Sequence, residues 1–124
     1  MTQNKRHKLC VQNSKNKIKG SHNCLKESTI FRNSDVHYLD LECHPINPKA
    51  FKSCAIECEC NSSKLQRESN KLDLLEWKKK NPTGEIFQIE NAEQFDINKL
   101  KRFPTFPKPR FTSKGNFTYG RNLR

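Results

Sequence analysis

Six cysteines and four histidines are the residues of this chain best suited to bond formation, metal binding or nucleophilic attack. The cysteines stand at 10, 24, 43, 54, 58 and 60 and the histidines at 7, 22, 37 and 44. Thiolate and imidazole are the preferred tetrahedral ligands of zinc. Cys54 and Cys58 share one side of a helical turn with Cys60 within reach, and Cys43 or His44 completes the set. A structural zinc site at His44, Cys54, Cys58 and Cys60 is therefore one expectation. A second set pairs His7-x-x-Cys10 with His22-x-Cys24. Neither has the paired, close-spaced knuckles of a strong zinc motif. An even cysteine count also suits disulfides, and the sequons Asn61-Ser62-Ser63 and Asn116-Phe117-Thr118 suit a secreted chain. Free, reduced thiols are the third expectation, and the irregular spacing favours them over zinc and disulfides.

Cysteine catalysis needs a histidine held beside the thiol. Cys43 and His44 are sequence neighbours, which directs their side chains apart. Asp40, Glu42, Glu57 and Glu59 are the carboxyls from which an acid and a base would have to be drawn, and that role needs a dry pocket. No P-loop, dinucleotide fingerprint, nucleophile elbow or His-Glu-x-x-His motif is present. A non-enzymatic protein is expected.

Composition points the same way. Of 124 residues, 32% are hydrophobic and 30% charged, with a net charge of +11. No run is long and apolar enough for a membrane span, and the basic start lacks the apolar stretch of a signal peptide. The chain reads as soluble and intracellular, in the cytoplasm, on the cytoskeleton or in the nucleus. Its charge is segregated: residues 1–26 carry +7 with no carboxylate, 27–60 carry −3, 61–100 are neutral, and 101–124 again carry +7 with no carboxylate. Acid-free arms are attracted to any dense anionic surface through counterion release. Lys5, Arg6, Lys8, Lys15, Lys17, Lys19, Lys101, Arg102, Lys108 and Arg110 are the expected contacts.

The elements that would position these groups look sparse. Residues 1–29 show no sustained period and read as a basic, extended or disordered arm. Residues 30–100 read as a small, partly folded middle containing the cysteine cluster. Val36 to Leu41 are strand-like until Pro45 and Pro48, and Ile86 to Ile89 suggest another short strand. The clearest element is a helix over about 62–80, capped by Asn61, Ser62 or Ser63 and stopped by Asn81-Pro82. Leu65, Leu72 and Leu75 fall on one face of it, with Leu74 and Trp77 turned away. A second helix is expected over 92–102. Residues 101–124 then interleave Phe103, Phe106, Phe111 and Phe117 with prolines and cations, as an extended tail would.

The expected fold is thus a mostly irregular, extended chain with one or two short α-helices, little strand and no large globular core. Such a chain suits a structural or adaptor protein that becomes ordered along a large assembly with an acidic surface, such as a microtubule lattice or a ribonucleoprotein. Its apolar anchors would be Leu72, Leu75, Trp77 and the four tail phenylalanines. The run Lys101-Arg102-Phe103-Pro104-Thr105-Phe106-Pro107 also fits the ligands of SH3-type aromatic grooves. The alternatives are a zinc-stapled nucleic-acid-binding module and a secreted disulfide-rich protein.

Overall fold

The structure, a computed structural model, describes residues 2–60 and 62–102. The first basic stretch is not an irregular arm, because Thr2–Lys17 form a helix, α1. It contains neither Gly nor Pro, and Lys15 and Lys17 sit in its last turn, where they favour the negative end of the helix dipole. Cys10, Val11 and Ser14 face inward, followed by Ile18 in the next turn. That spacing is helical, but cysteine and serine do not announce an apolar stripe.

Four strands follow: β1 (His22–Arg32), β2 (Asp35–Pro45), β3 (Cys54–Cys58) and β4 (Glu85–Ile89), with helix α2 (Lys64–Lys80) between the last two. They form one sheet in the order β1-β2-β3-β4, antiparallel except for the β3/β4 pair. A parallel pair needs a crossover connection, which α2 provides. The β1/β2 hairpin turns on Asn33 and Ser34, both left-handed with φ of 55° and 71°, as two-residue hairpin loops require.

The expectation of an irregular chain with little strand and no globular core is therefore overturned. β3 is buried from end to end, and its side chains alternate between two packed layers. Cys54, Ile56 and Cys58 pack with Leu41, Cys43, Phe87 and Ile89 under α1, whereas Ala55 packs with Ile30, Leu39, Leu74 and Trp77 under α2. Cysteine fills much of the first layer, and it buries as well as an aliphatic residue. The apolar content of the chain thus understated what it can bury.

The bounds expected for α2 hold, but its inward face does not. Ser63 Oγ accepts from Gln66 N at 3.1 Å, and Asn81 closes the helix on the Trp77 and Lys78 carbonyls. Asp73, Leu74 and Trp77 are buried, while Leu65, Leu72 and Leu75 are 79%, 49% and 42% exposed. Polar partners on the sheet decide this: Trp77 Nε1 donates to Glu42 at 2.9 Å, and Arg32 Nε donates to Asp73 at 2.7 Å. Gly84 passes beneath the indole, where a Cβ would lie 2.5 Å from the Trp77 ring.

The helix expected over 92–102 is two short 3-10 turns, Ala92–Gln94 and Ile97–Leu100. Asn91 and Asp96 start them with side-chain acceptors for Glu93 N and Asn98 N, so each is a capped turn that ends as soon as Phe95 or Leu100 is buried. Lys101 then bridges Phe51, and Arg102 Nε donates to the Pro48 carbonyl at 2.6 Å. Lys108, Arg110, Phe103, Phe106, Phe111, Phe117, most of the expected SH3-type motif and both sequon asparagines lie outside the described residues. No helix among the described residues is long and apolar enough to cross a membrane.

Candidate anion-binding surface on the first helix

The six cysteines lie in one layer between α1 and the sheet. Cys10–Cys58 joins α1 to the end of β3, and Cys24–Cys43 joins β1 to β2. Cys54 and Cys60, before and beyond the other β3 cysteine, are free. Burial, with the Glu85 charge in support, pushes the Cys54 thiol up to about 12. Burial also raises Cys60, where Arg6 opposes the shift and Glu90, Asp40 and Glu59 add to it. Both stay protonated at neutral pH, which removes the thiolate that nucleophilic chemistry needs.

Neither expected zinc set is brought together. Cys10, Cys58, Cys24 and Cys43 are engaged in disulfides, and no group of three or more His, Cys, Asp or Glu is arranged to hold a metal among the described residues. His44 instead bonds Ser53 Oγ at 2.8 Å and Glu42 at 2.9 Å. His22 is buried between Ser21 Oγ and the Lys52 carbonyl, and that burial lowers its pKa.

The carboxyls are used internally. Asp40 accepts from Cys58 N at 2.7 Å and pairs with His7 at 3.0 Å. Glu59 accepts from Asn70 and Gln88. Glu42 is held below the usual carboxylate range although burial acts the other way, because Ser28, Trp77 and His44 all bond it. Glu57 is the exception. Burial first, and then the charges of Asp40, Glu59 and Asp73, push it up to about 10, and its Oε2 has no hydrogen-bond partner. It lines neither cleft beside α1.

What α1 turns outward is a row of cations. Lys5, Lys8, Gln12 and Lys15 follow one another at spacings of three and four along one side of the helix, and α1 contains no carboxylate. Elsewhere Arg32 pairs with Asp73, Lys52 with Glu85, Arg67 with Glu90 and Lys79 with Glu76, while Lys64, Lys71 and Lys80 are in no ion pair among the described residues, so what sets α1 apart is its lack of any carboxylate. Among the described residues, Lys5, Arg6, Lys8, Lys15 and Lys19 are in no ion pair. Lys17 differs, since its ammonium donates to the Ala92 and Phe95 carbonyls at 2.7 Å each and lies 5.7 Å from the Phe95 ring centroid. It pins the helix and is not free for a partner.

Two clefts flank α1. One, of about 410 Å³, opens toward α2 between Arg6, Cys60 and Arg67. The other, of about 510 Å³, lies between α1 and β1 with Leu9 and Val11 among its lining and Lys5, Lys8 and Lys26 at its rim. Of the expected sites, the structure brings Lys5, Arg6 and Lys8 together around these clefts and sets Lys101 and Arg102 apart, on the Pro48 to Phe51 segment. Leu72 and Leu75 are half-exposed on α2, and Trp77 is buried beneath it. Lys26, Gln12 and Arg67 were not expected at the site. The spacing of Lys5, Lys8 and Lys15 carried the signal, but only once the segment is seen to be helical. Compared with protein-family models, curated proteins and solved structures, the chain matches none.

Proposed function

We propose that the protein is a non-enzymatic adaptor module that grips an anionic polymer through α1, with the acid-free residues 103–124 as a second basic grip. The observation that carries this is the row Lys5, Lys8 and Lys15, unpaired among the described residues, on a helix that Lys17 pins to the Ala92 and Phe95 carbonyls. A cation left without a carboxylate on a rigid element spends no side-chain partner when an anion arrives. Three charges spread over about 15 Å of helix suit an extended polyanion better than a single small anion. Large assemblies with acidic surfaces, a microtubule lattice or a ribonucleoprotein, present such polymers. Fluorescence anisotropy with labelled polyglutamate and a labelled single-stranded oligonucleotide tests this, and affinity falling steeply with salt is the expected result. No binding to either at low salt would overturn it.

The two disulfides favour a second reading, in which the protein works in an oxidising compartment and is secreted. Thiol counting on protein from its native source distinguishes the readings: two accessible thiols after denaturation supports secretion, and six supports an intracellular site.

A further inference from the structure

The cleft between α1 and β1 has a composition that separates one kind of polyanion from another. Its rim carries Lys5 and Lys8 from the helix and Lys26 from the strand, and its lining includes the aliphatic Leu9 and Val11. Two carboxylates also line it. Asp40 pairs with His7 and accepts from Cys58 N, so Asp40 and Glu27 together leave the three lysines in excess by one charge. Leu9 is 53% exposed, so apolar surface lies beside lysines in the lining.

We infer that this cleft binds an acidic peptide segment in which carboxylate side chains alternate with aliphatic ones. The inference rests on the proposed polyanion grip and names the polymer as a polypeptide. Three features favour that class over a nucleic acid. Proteins that hold single strands stack bases on aromatic side chains, and no Phe, Tyr or Trp lines this cleft, whose one aromatic ring, His7, is held against Asp40. Lysines and no arginine line it, and a lysine's point charge suits a flexible carboxylate, whereas planar bidentate recognition of phosphate draws on arginine. β1, which supplies Lys26 and Glu27 to the lining, is the edge of the sheet and is paired only with β2 among the described residues, and an edge strand offers backbone hydrogen bonds to a peptide. Glu27, at φ 55°, divides that edge into two short runs, which limits strand addition to a few residues on either side. Carboxylates of the bound segment meet the lysine rim and its aliphatic side chains cover Leu9.

Three labelled probes of equal charge test this with the disulfide-intact full chain: a Glu/Leu alternating peptide, a Glu/Ser alternating peptide and a single-stranded oligonucleotide. The Glu/Leu peptide is expected to bind about tenfold more tightly than the Glu/Ser peptide, the size of effect given by burying one aliphatic side chain. Leu9→Ser, at an exposed position that leaves folding intact, should remove that preference and change the other two affinities by less than about twofold. Lys26→Gln, on the strand side of the cleft, should weaken both peptides. Equal affinity for the two peptides, or a preference that survives Leu9→Ser, overturns the inference while leaving the polyanion grip in place. Failure of all three probes to bind overturns both.

Discussion

Cys10 of α1 and Cys58, the last residue of β3, are bonded across 48 residues of chain, with their Cα atoms 6.1 Å apart. The bond docks the basic helix on the central buried strand, where Val11 and Ile18 alone would give a narrow apolar contact. In the chain-entropy view a closed loop of this length is worth about 4 kcal/mol. Cys10→Ser should lower unfolding stability by roughly that amount and reduce far-UV helicity, whereas Cys54→Ser, at a thiol bonded to nothing, should leave α1 in place. Denaturant titration followed by circular dichroism reads both.

Glu57 makes stability depend on pH. The unfolded chain releases this proton near the ordinary carboxyl value of 4.5, and the folded chain holds it up to about 10. The folded state therefore binds more protons between those values, and its stability falls as pH rises through them. By pH 7 the loss is about 3 kcal/mol, and Glu57→Gln, which cannot ionise, should flatten the curve between pH 5 and 9. Thermal melts of the two proteins across that range make the comparison.

The two faces of α2 should respond oppositely to truncation. Leu74 is buried, and Leu72, two residues earlier and about 200° around the helix, is half-exposed. Leu74→Ala should cost about 2–5 kcal/mol, and Leu72→Ala within about 0.5 kcal/mol. Trp77→Phe keeps an aromatic ring but removes one of three donors to the half-buried Glu42 carboxylate, at a cost of about 1 kcal/mol. Equilibrium unfolding of the three variants checks the order.

The sequence made α2 legible because its signals are local: Ser63 as cap, Asn81-Pro82 as stop, and no Gly or Pro between. The strand-like runs at Val36 to Leu41 and Ile86 to Ile89 were legible for the same reason and lie within β2 and β4. α1 and β1 were not. The inward face of α1 rests on a cysteine whose partner is 48 residues away, and β1 is the exposed edge of the sheet, where Lys26, Glu27 and Thr29 obscure alternation. The basic residues of the candidate site were visible as charge, but their arrangement as one row was hidden until α1 was known to be a helix. The inward turn of Trp77 depends on Glu42, a carboxylate 35 positions earlier, which no local periodicity reveals.

Lys15 and Lys17 are neighbours with opposite roles. Lys17→Gln should lower stability, since its two bonds to the Ala92 and Phe95 carbonyls are lost, while Lys15→Gln should leave the melting temperature unchanged and weaken polyanion binding. Paired melts and anisotropy titrations separate the effects.

The central claim is that the unpaired lysines of α1 carry the grip on an anionic polymer. Its most direct measurement is the slope of log affinity against log salt for a single-stranded oligonucleotide, for the wild-type chain and for the Lys5→Gln, Lys8→Gln, Lys15→Gln triple variant. Removing three contacts should make the slope shallower by about 2, since each neutralised charge on a single strand contributes about 0.7. Equal slopes for the two proteins, with both still folded, would contradict the account.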